Sequence, residues 1–369
     1  MRSIGVVVVV ALLWPVWSIG SDLVAPGTDS TAARLAEWAR ANRLGAAVSA
    51  LERLQYQLDP PKVGGAPRAG IPVIEDARPA HAPTTAPPAD VRSAEPPPLP
   101  SIPAQAQPAL PAEGTWQTLV DIAGQPAIQA AFLRPDATHT SYVVGVASLD
   151  QKLVRMVLHP GTKVPGGSGW SQSSEVPADE RDSLLATFNS GFTLVDADGG
   201  YWQDGRAATP LRAGAASMVL SRDGHVDVRA WDGSPPGPDV AAVRQNLNLL
   251  VDNGTISPEV DATTTNAWGK TVGNAKFVWR SALGIRADGS LVFVAGNSMS
   301  VQTLATIVRD AGAVRALELD INKAWTSFMT YTHPGPGQAT PHLLTSDEQP
   351  NPARYLQPST RDFVAVLPR

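Results

Sequence analysis

The stretch from Arg315 to Asn322 carries the residues best suited to chemistry. Its apolar members are Leu317, Leu319 and Ile321, and its polar members are Glu318, Asp320 and Asn322. In a strand, alternation of this kind places the two carboxylates on one face, about 7 Å apart. Trp325 follows and could serve as a stacking platform for a sugar. A strand with a solvated outer face has the same pattern, so both interpretations stay open at this point.

Two further stretches carry isolated polar residues within apolar strands. Asn189 and Gly191 end the run from Ala186 to Phe192, where a glycine lets a ligand or another strand approach the backbone closely. A simple turn is the alternative. Arg280 lies inside the apolar run 278–284, and its charge must be paired or exposed. Its guanidinium could bind a phosphate-like anion or be the structural partner of a carboxylate.

Other kinds of site receive little support. The sequence has no cysteine, which excludes disulfides, thiolate metal sites and cysteine nucleophiles. The histidines His159, His225 and His333 stand singly beside expected turns, without the spacing of a zinc site. No cofactor is expected, although a divalent cation near Asp196, Asp198 or Asp204 remains open. The net charge of −5 and the scattered Lys and Arg argue against nucleic acid as a partner.

Short strands and tight turns dominate the elements that must position these residues. Turn signals are Arg222-Asp223-Gly224, Asp252-Asn253-Gly254 and Ala287-Asp288-Gly289, each between apolar runs. Strands are predicted at 141–147, 153–158, 218–220, 226–230, 247–251, 277–285 and 291–294. Helices are predicted at 179–186 and at 301–311, the latter with Ser300 as N-cap and Gly312 at its end. Strands and helices do not alternate regularly, so the class expected is a β-rich α+β fold with a mixed sheet.

These motifs, taken in order, resemble those of the phosphodiester glycosidase family. The family's Asn-Gly-Gly-aromatic motif corresponds to Asn189-Ser190-Gly191-Phe192, and its Arg-Thr-Ala-x-Gly strand to Arg280-Ser281-Ala282-Leu283-Gly284. Its helix leading to Leu-Asp-Gly-Gly-Gly-Ser corresponds to the predicted helix at 301–311 and to Leu319-Asp320. A Gln-x-x-x-x-Leu-Val-x-Asn-Gly stretch matches 245–254. The resemblance runs from about Tyr142 to the C-terminus.

The resemblance implies hydrolysis of a sugar–phosphate or related glycosidic link. Asp320 is then expected to be the catalytic or substrate-orienting carboxylate, with Glu318 as second choice for the acid–base pair of a glycosidase. Arg280 is expected to bind the anion, and Asn189, beside Gly191, a sugar hydroxyl or the leaving oxygen.

One departure reshapes this expected site. The family's glycine triplet after the aspartate is replaced by Ile321-Asn322-Lys323. Larger side chains change the wall beside the substrate. We therefore expect a divergent bacterial member in which Asn322 and Trp325 form part of the pocket.

The N-terminal third of the sequence is typical of a segment that directs export and then separates the folded domain from the membrane. Residues 1–20 form a signal peptide or membrane anchor, because a positive start precedes an apolar run from Ile4 to about Ile19. A helix is expected from Thr28 to Leu58, within residues 21–58. Residues 59–113 are Pro- and Ala-rich and are expected to be a disordered linker before the domain at 114–369.

Together these features predict an extracytoplasmic hydrolase of an envelope glycan or sugar phosphodiester. The membrane is a partner only if the N-terminus stays uncleaved, and cleavage after Gly20 is equally open. A non-catalytic wall-glycan-binding domain of the same fold is the alternative function. A structural envelope protein, whose N-terminal helix recruits partners, is a third.

Overall fold

A computed structural model describes residues 17–21, 23–24, 27–74, 78–79, 98–261, 266–269, 271, 275–348 and 350–369. The first 16 residues of the expected leader and the centre of the expected linker, 80–97, lie outside these ranges. Within them the chain is β-rich with few helices, which confirms the predicted α+β class. No helix in the described ranges combines the length and apolar content needed to cross a bilayer.

The described elements run in a long series of short strands. The strands are β1 (Arg78–Pro79), β2 (Gln117–Ile122), β3 (Gln125–Leu133), β4 (Val144–Leu149), β5 (Val154–His159), β6 (Ala186–Asn189), β7 (Tyr201–Gln203), β8 (Arg206–Thr209), β9 (Ala216–Ser221), β10 (Val226–Ala230), β11 (Val240–Gln245), β12 (Leu249–Asp252), β13 (Thr255–Ile256), β14 (Val278–Arg286), β15 (Leu291–Met299), β16 (Ala313–Glu318), β17 (Phe328–Gly335), β18 (Gln338–Leu343) and β19 (Phe363–Pro368). The α-helices are α1 (Thr31–Ala41), α2 (Gly45–Leu58), α3 (Leu194–Ala197) and α4 (Val301–Asp310). Short 3-10 turns lie at Arg181–Ser183, Pro258–Asp261, Asn266–Trp268 and Arg354–Leu356.

Three sheets form the described part of the domain. The first has the order β1-β2-β3-β4-β15-β14-β16-β12-β13, the second β10-β9-β11-β7-β8, and the third β18-β17-β6-β19-β5. Only β1 and β2 pair in parallel among the described ladders, so the first sheet is mixed. The strands that carry the motifs, β14 and β16, are neighbours at the centre of the first sheet. Strand β6, with Asn189, lies at the centre of the third.

Apolar side chains from all three sheets meet in one large core. Leu283 and Leu317 of the first sheet share this core with Met218 of the second and Phe188 of the third. The opposite face of the first sheet is covered by α4, whose apolar stripe packs on Ala282 and Ala316 together with other small residues. Both faces of β14 and β16 are therefore buried, so a polar residue on either strand must find its partner inside the protein.

Several sequence predictions are confirmed by these elements. Strands β9 and β10 pair as an antiparallel hairpin around the predicted turn, and β14 and β15 do the same. Helix α4 begins where its capping signal places it, because the Ser300 hydroxyl accepts a hydrogen bond from the Thr303 amide at 3.0 Å. Gly312 follows the helix with φ of +97°, a backbone conformation that a glycine adopts without steric cost.

Other predictions are wrong in extent or type. The helix expected at 179–186 is a single 3-10 turn, and β6 begins at Ala186. The helix expected from Thr28 to Leu58 is two helices, α1 and α2, broken after Ala41. The strand expected to reach Asn322 ends at Glu318, so the alternation of the last residues does not reflect strand geometry.

The two ends of the expected linker pack against the domain instead of being disordered. Ile102 is buried in the core beneath α4. The Glu113 carboxylate pairs with Arg134 at 2.8 Å, and both side chains are buried. At the other end Ile71 belongs to the main core. Pro- and Ala-rich composition alone therefore overstated the disorder, because a few well-placed apolar residues and one ion pair hold these ends.

Candidate active site

A hydroxyl at the centre of the first sheet joins two of the predicted site residues. The Asn189 side-chain amide donates to Ser281 Oγ at 3.1 Å, and the Asp320 backbone amide donates to the same oxygen at 3.2 Å. The Ser281 backbone amide in turn donates to the Asp320 carbonyl at 2.8 Å. Asn189 also accepts a hydrogen bond from the Ser327 amide at 3.1 Å. The structure thus brings Asn189 and Asp320 together through a residue that the sequence had not singled out.

The Asp320 carboxyl lies just beyond the end of β16 in a buried setting, with 3% of its surface exposed. Its Oδ1 accepts a hydrogen bond from the Asn322 amide at 2.9 Å. Burial raises the pKa of Asp320 to about 6, although the charge of Arg361 and backbone hydrogen bonds from Asn322 and Ile321 oppose the rise. A carboxyl with such a pKa is partly protonated near neutral pH and can act as a general acid.

Glu318 and Arg280 form a buried ion pair beneath α4. Arg280 Nη1 lies 2.6 Å from Glu318 Oε1, and its Nε donates to the Met299 carbonyl at 2.9 Å. Burial raises the pKa of Glu318 to about 7 in spite of the charge and hydrogen bond of Arg280. Of the two roles open to Arg280, the geometry is that of a structural partner of a carboxylate. Its predicted anion binding has no support here and stays a prediction.

Two side chains, those of Asn246 and Arg244, act as a clamp that binds the backbone of the motif that begins at Asn189. Asn246 donates to the Ser190 carbonyl at 2.9 Å and accepts from the Phe192 amide at 3.1 Å. A Cβ at Gly191 would lie 2.3 Å from Asn246, so only glycine fits against that side chain. Ser190 Oγ donates to Asp362 at 2.6 Å. The close approach predicted at Gly191 is therefore made by a side chain of the protein.

A buried arginine completes this clamp. Arg244 Nε donates to the Asp362 carboxylate at 2.6 Å, and Arg244 Nη2 donates to the Phe192 carbonyl. Both partners of the ion pair are fully buried. The other Asp362 oxygen, Oδ1, is buried without a hydrogen-bond partner among the described residues.

Asn322 and Trp325 shape the loop that replaces the family's glycines. Asn322 Oδ1 accepts from the Ala324 amide at 2.9 Å, and the Asn322 carbonyl accepts from the Trp325 amide at 2.9 Å. Such side-chain hydrogen bonds let asparagine form a tight turn without glycine. Trp325 is 5% exposed, and two guanidinium groups, those of Arg354 and Arg361, lie over its ring at 4.8 and 4.4 Å.

An open cleft of about 400 Å³ includes in its wall Leu247, which belongs to the apolar cluster against which Ile321 of this loop packs. Ile321, which follows Asp320, packs against Phe192, Ala197 and Leu247. Residues of the cleft wall include Val195, Asp196, Asp198, Arg212, Leu247 and Asn248. The charge of Asp196 contributes to the raised pKa of Asp320, which places the cleft within electrostatic reach of that carboxyl. A polar cleft of this size suits a small glycosyl group.

The acidic residues considered for a divalent cation make other contacts. Asp196 accepts from the Thr193 hydroxyl at 2.6 Å. Asp198 pairs with Arg212, and Asp204 pairs with Arg222. Over the described part of the chain, no group of three or more His, Cys, Asp or Glu side chains is placed to hold a metal ion.

Sequence reasoning missed Ser281, Asn246, Arg361 and Asp362. Asn246 lies within the stretch 245–254 that carried the resemblance, so a closer reading of that motif could have found it. Arg361 and Asp362 stand side by side immediately before the apolar strand β19. An adjacent pair of opposite charges there was a signal, but their partners lie far away in the chain.

Solved structures of low sequence identity are similar to this chain over about two thirds of its length. No curated protein matches the chain. The catalytic domain of a zebrafish N-acetylglucosamine-1-phosphodiester alpha-N-acetylglucosaminidase, auto-inhibited by its pro-peptide, is 15% identical, with 68% of this chain and 87% of that chain covered and a TM-score of 0.43. A hypothetical protein from Synechocystis is 14% identical, with coverages of 69% and 64% and a TM-score of 0.36. A putative exported protein from Burkholderia pseudomallei is 12% identical, with coverages of 64% and 76% and a TM-score of 0.29.

The family comparison covers the segment that holds the predicted site. A model of the phosphodiester glycosidase family matches residues 182–320. That range contains Asn189, Arg280 and Asp320, together with the clamp residues Arg244 and Asn246. The resemblance read from the motifs is therefore confirmed: residues 182–320 match the phosphodiester glycosidase family.

Proposed function

We propose that this protein is an exported hydrolase that cleaves a glycosyl phosphodiester, or a related glycosidic bond, in an envelope glycan. The observation that carries the proposal is Asp320, a buried carboxyl whose pKa is raised to about 6. It lies at the end of a central strand, within the segment that matches the family. A glycosidase needs a carboxylic acid whose pKa is raised toward neutral pH, and burial raises the pKa of Asp320 in that direction.

In the proposed reaction water hydrolyses the bond between the anomeric carbon and the phosphate oxygen. The Asp320 carboxyl donates its proton to the departing phosphate oxygen while water attacks the anomeric carbon. The attacking water loses one proton to solvent, and the Asp320 carboxylate takes up one proton from solvent, which restores its starting protonation state. The products are a free sugar and a phosphate monoester, so atoms and charge balance without a cofactor.

Two neighbours fit supporting roles in this reaction. The oxygen and the nitrogen of the Asn189 side-chain amide each make a hydrogen bond within the protein. The nitrogen carries a second N–H, which can donate to a sugar hydroxyl or to the leaving oxygen. Glu318 faces Arg280 beneath α4 and is fully buried. We therefore assign the proton donation to Asp320 alone, and to Glu318 and Arg280 the positioning of β14 against β16.

Export is part of the proposal and rests on the sequence. A positive start followed by an apolar run from Ile4 to about Ile19 is typical of a secretory signal or anchor. Fractionation of cells that express the full chain should place the protein outside the cytoplasm, either free or with the membrane. Recovery in the cytoplasm, with residues 1–20 intact, would contradict export.

The test of the chemistry compares hydrolysis by the purified full chain and by its Asp320→Asn variant. Both proteins are assayed on a panel of candidate substrates, which contains glycosyl phosphodiesters, among them N-acetylglucosamine-1-phosphodiesters, and wall glycans. We expect kcat/KM on the cleaved substrate to fall by about 10²- to 10⁴-fold, because the amide cannot donate the proton. The matched control is Asp252→Asn, which removes an exposed carboxylate from a hairpin.

The pH profile supplies a second readout. Because the acid must be protonated, kcat/KM should be high below about pH 6 and fall as the pH rises through the pKa of Asp320. This descending limb should disappear in Asp320→Asn. Unchanged hydrolysis in that variant would remove Asp320 from the mechanism.

A non-catalytic glycan-binding domain is the second candidate. It is favoured by the burial of the Asp320 and Trp325 side chains, which are at most 5% exposed. This candidate predicts binding of a glycan by the purified chain without turnover of any member of the panel. Turnover that depends on Asp320 would eliminate it.

A further inference from the structure

Two residues that follow β16 face a single residue of β14. The Leu319 amide donates to the Ser281 carbonyl at 2.8 Å, and the Ser281 amide donates to the Asp320 carbonyl at 2.8 Å. Two consecutive residues opposite one is the arrangement of a β-bulge, which redirects a side chain and leaves the extra residue outside the regular ladder. The Asp320 amide donates to the Ser281 hydroxyl at 3.2 Å instead. Ser281 therefore completes the backbone hydrogen bonding of the residue that carries the proposed acid.

This bulge gives the two neighbouring carboxyls different surroundings. In a regular strand Asp320 would lie on the same face as Glu318, two residues earlier. Glu318 pairs with Arg280 beneath α4. The Asp320 carboxyl instead accepts from the Asn322 amide at 2.9 Å, and the charge of Arg361, which lies next to the third sheet, acts on it. The redirection of Asp320 thus depends on how its backbone is held at Ser281.

The orientation of the Asn189 amide is fixed by the groups on either side of it. Its oxygen is identified by the Ser327 backbone amide, which can only donate and lies 3.1 Å away. The Asn189 nitrogen consequently donates to Ser281 Oγ at 3.1 Å. Since Ser281 Oγ accepts from both Asn189 and the Asp320 amide, its own proton is left for the Asp320 carbonyl, 3.3 Å away. Every hydrogen bond of this hydroxyl therefore goes to Asn189 or to Asp320.

Ser281 also connects two sheets inside the main core. It is fully buried, and Leu283, on the same face of β14, packs in the core that contains Phe188. Phe188 precedes Asn189 in β6, a strand of the third sheet. The Ser281 hydroxyl thus joins the end of β6 to the residues that follow β16, in the first sheet. It sets the separation of the two strand ends that carry the motif residues.

We propose that Ser281 is a positioning residue of the candidate active site, whose hydroxyl holds the Asp320 carboxyl and the Asn189 amide in one fixed arrangement toward the substrate. The inference rests on the proposed function, because Asp320 is the proton donor there. In this arrangement Asp320 presents its proton, and Asn189 its second N–H, to the same leaving oxygen. A displacement of about 1 Å in such a group can lower turnover by about 10²-fold.

The test measures steady-state kinetics of the full chain and its Ser281 variants on the cleaved member of the panel. We expect Ser281→Ala to lower kcat by about 10- to 100-fold and to change KM by less than about threefold, because the proton donor is misplaced while other substrate contacts remain. Ser281→Thr keeps the hydroxyl and restores the residue of the family's motif, so its kcat should stay within about threefold of the unaltered value. Ser281→Cys, whose thiol is a weak acceptor, should lie between the two.

The matched control removes another buried hydroxyl from the same sheet. Ser148 of β4 accepts a hydrogen bond from Arg286 Nη1 at 2.6 Å. Ser148→Ala should leave kcat and KM within about twofold of the unaltered values. Circular dichroism checks that all variants are folded. Equal losses of kcat in Ser281→Ala and Ser281→Thr, or in Ser281→Ala and Ser148→Ala, would overturn the positioning role.

The pH profile and a double variant show whether Ser281 acts through Asp320. The descending limb of kcat/KM should remain in Ser281→Ala, whose acid still titrates, although it disappears in Asp320→Asn. In Ser281→Ala/Asp320→Asn the loss of kcat should be at least about fivefold smaller than the product of the two single losses, because the two residues act as a unit. A loss equal to that product would show that Ser281 acts independently of Asp320, against the proposal.

Hydrogen exchange gives a readout that does not depend on turnover. In Ser281→Ala the Asp320 amide loses its acceptor, so exchange in the peptide 319–322 should be at least about tenfold faster, with no change in Ser148→Ala. Unchanged exchange in Ser281→Ala would contradict the proposal. Faster exchange with an unchanged kcat would also contradict it and would leave the hydrolase standing. Faster exchange, in a protein whose unaltered chain hydrolyses no member of the panel, would support the positioning by Ser281 and contradict the hydrolase.

Discussion

Two arginine–carboxylate pairs, one in the centre of the domain and one on its flank, differ in what holds them. In the centre of the domain, Arg244 pairs with Asp362, and neither side chain has any exposed surface. On the flank, Arg361 pairs with Glu37, whose side chains are 11% and 18% exposed. The first pair joins strand β11 to the residue that immediately precedes strand β19. The second joins the core to a segment 324 residues earlier in the chain.

The difference teaches which arginines are available to a ligand. Removing one partner of a fully buried pair leaves a charge that water cannot reach. The free energy needed to separate such a pair is therefore high, and the pair stays formed. A pair at the edge can separate because each charge is rehydrated when the segment leaves. Arg244 and Arg280 are therefore structural supports of the candidate active site. On the flank, water reaches the Arg361–Glu37 pair, whereas both side chains of the Arg354–Asp29 pair are only 4% exposed.

The sharpest way to break this comparison is to remove one carboxylate from each region. Asp362→Asn leaves the Arg244 guanidinium uncompensated in the core, and we expect it to lower the free energy of unfolding by about 3–5 kcal/mol. Glu37→Gln, the matched change at the edge, should cost about 1 kcal/mol or less. Urea denaturation of the full chain measures both. Similar costs for the two variants would show that the N-terminal segment is as integral to the fold as the core pair.

The buried carboxyl of Glu348, which accepts hydrogen bonds from backbone amides, gives a third kind of site to compare. Glu348 accepts hydrogen bonds from the Phe328 and Thr345 amides at 3.0 and 3.2 Å, and burial raises its pKa to about 8. The folded pKa lies above the ordinary value of 4.5. Protonation of Glu348 therefore stabilises the fold below about pH 4.5, and this contribution is lost as the pH rises through about 8.

The expected consequence is a stability that falls with rising pH. Between pH 5 and 8 the free energy of unfolding should decrease by an amount on the order of 2–4 kcal/mol from this group. Glu348→Gln removes the titration, so its urea midpoint should change less over this range than that of the unaltered chain. Glu259→Gln, at an exposed carboxyl, is the control and should follow the unaltered chain. Parallel pH profiles for all three proteins would show that Glu348 is ionised throughout.

The sequence was a good guide wherever structure depends on neighbours in the chain. The turns at 222–224 and 287–289, the N-cap at Ser300 and the order of the family motifs are local signals, and the elements they predict are present. The same locality explains the errors. The stretch after Glu318 continues the alternation of a strand, but Asp320 is held by the turn that Asn322 forms.

The candidate site was predictable only in part because its contacts are long-range. Asp320 and Asn189 could be named from motifs, whereas nothing in the motif 280–284 indicated that its Ser281 would join them. The ion pairs of Arg354 and Arg361 connect residues more than 320 positions apart. No periodicity or spacing in one sequence encodes such a pairing.

The smallest expected effect tests whether the N-terminal segment leaves the domain by itself. Thr360→Val removes one hydroxyl donor from Asp29, which keeps its contact with Arg354. We expect a local loss on the order of 1 kcal/mol, or about fivefold faster hydrogen exchange of the amides in α1. Exchange in β16 should stay unchanged, because the core does not open with the segment. Thr332→Val, whose hydroxyl contacts His342 on the remote strand β18, should leave α1 unaffected. Equal acceleration in α1 and β16 would mean that segment and core open as one unit, and the edge pairs would then be no more exchangeable than the pair in the core.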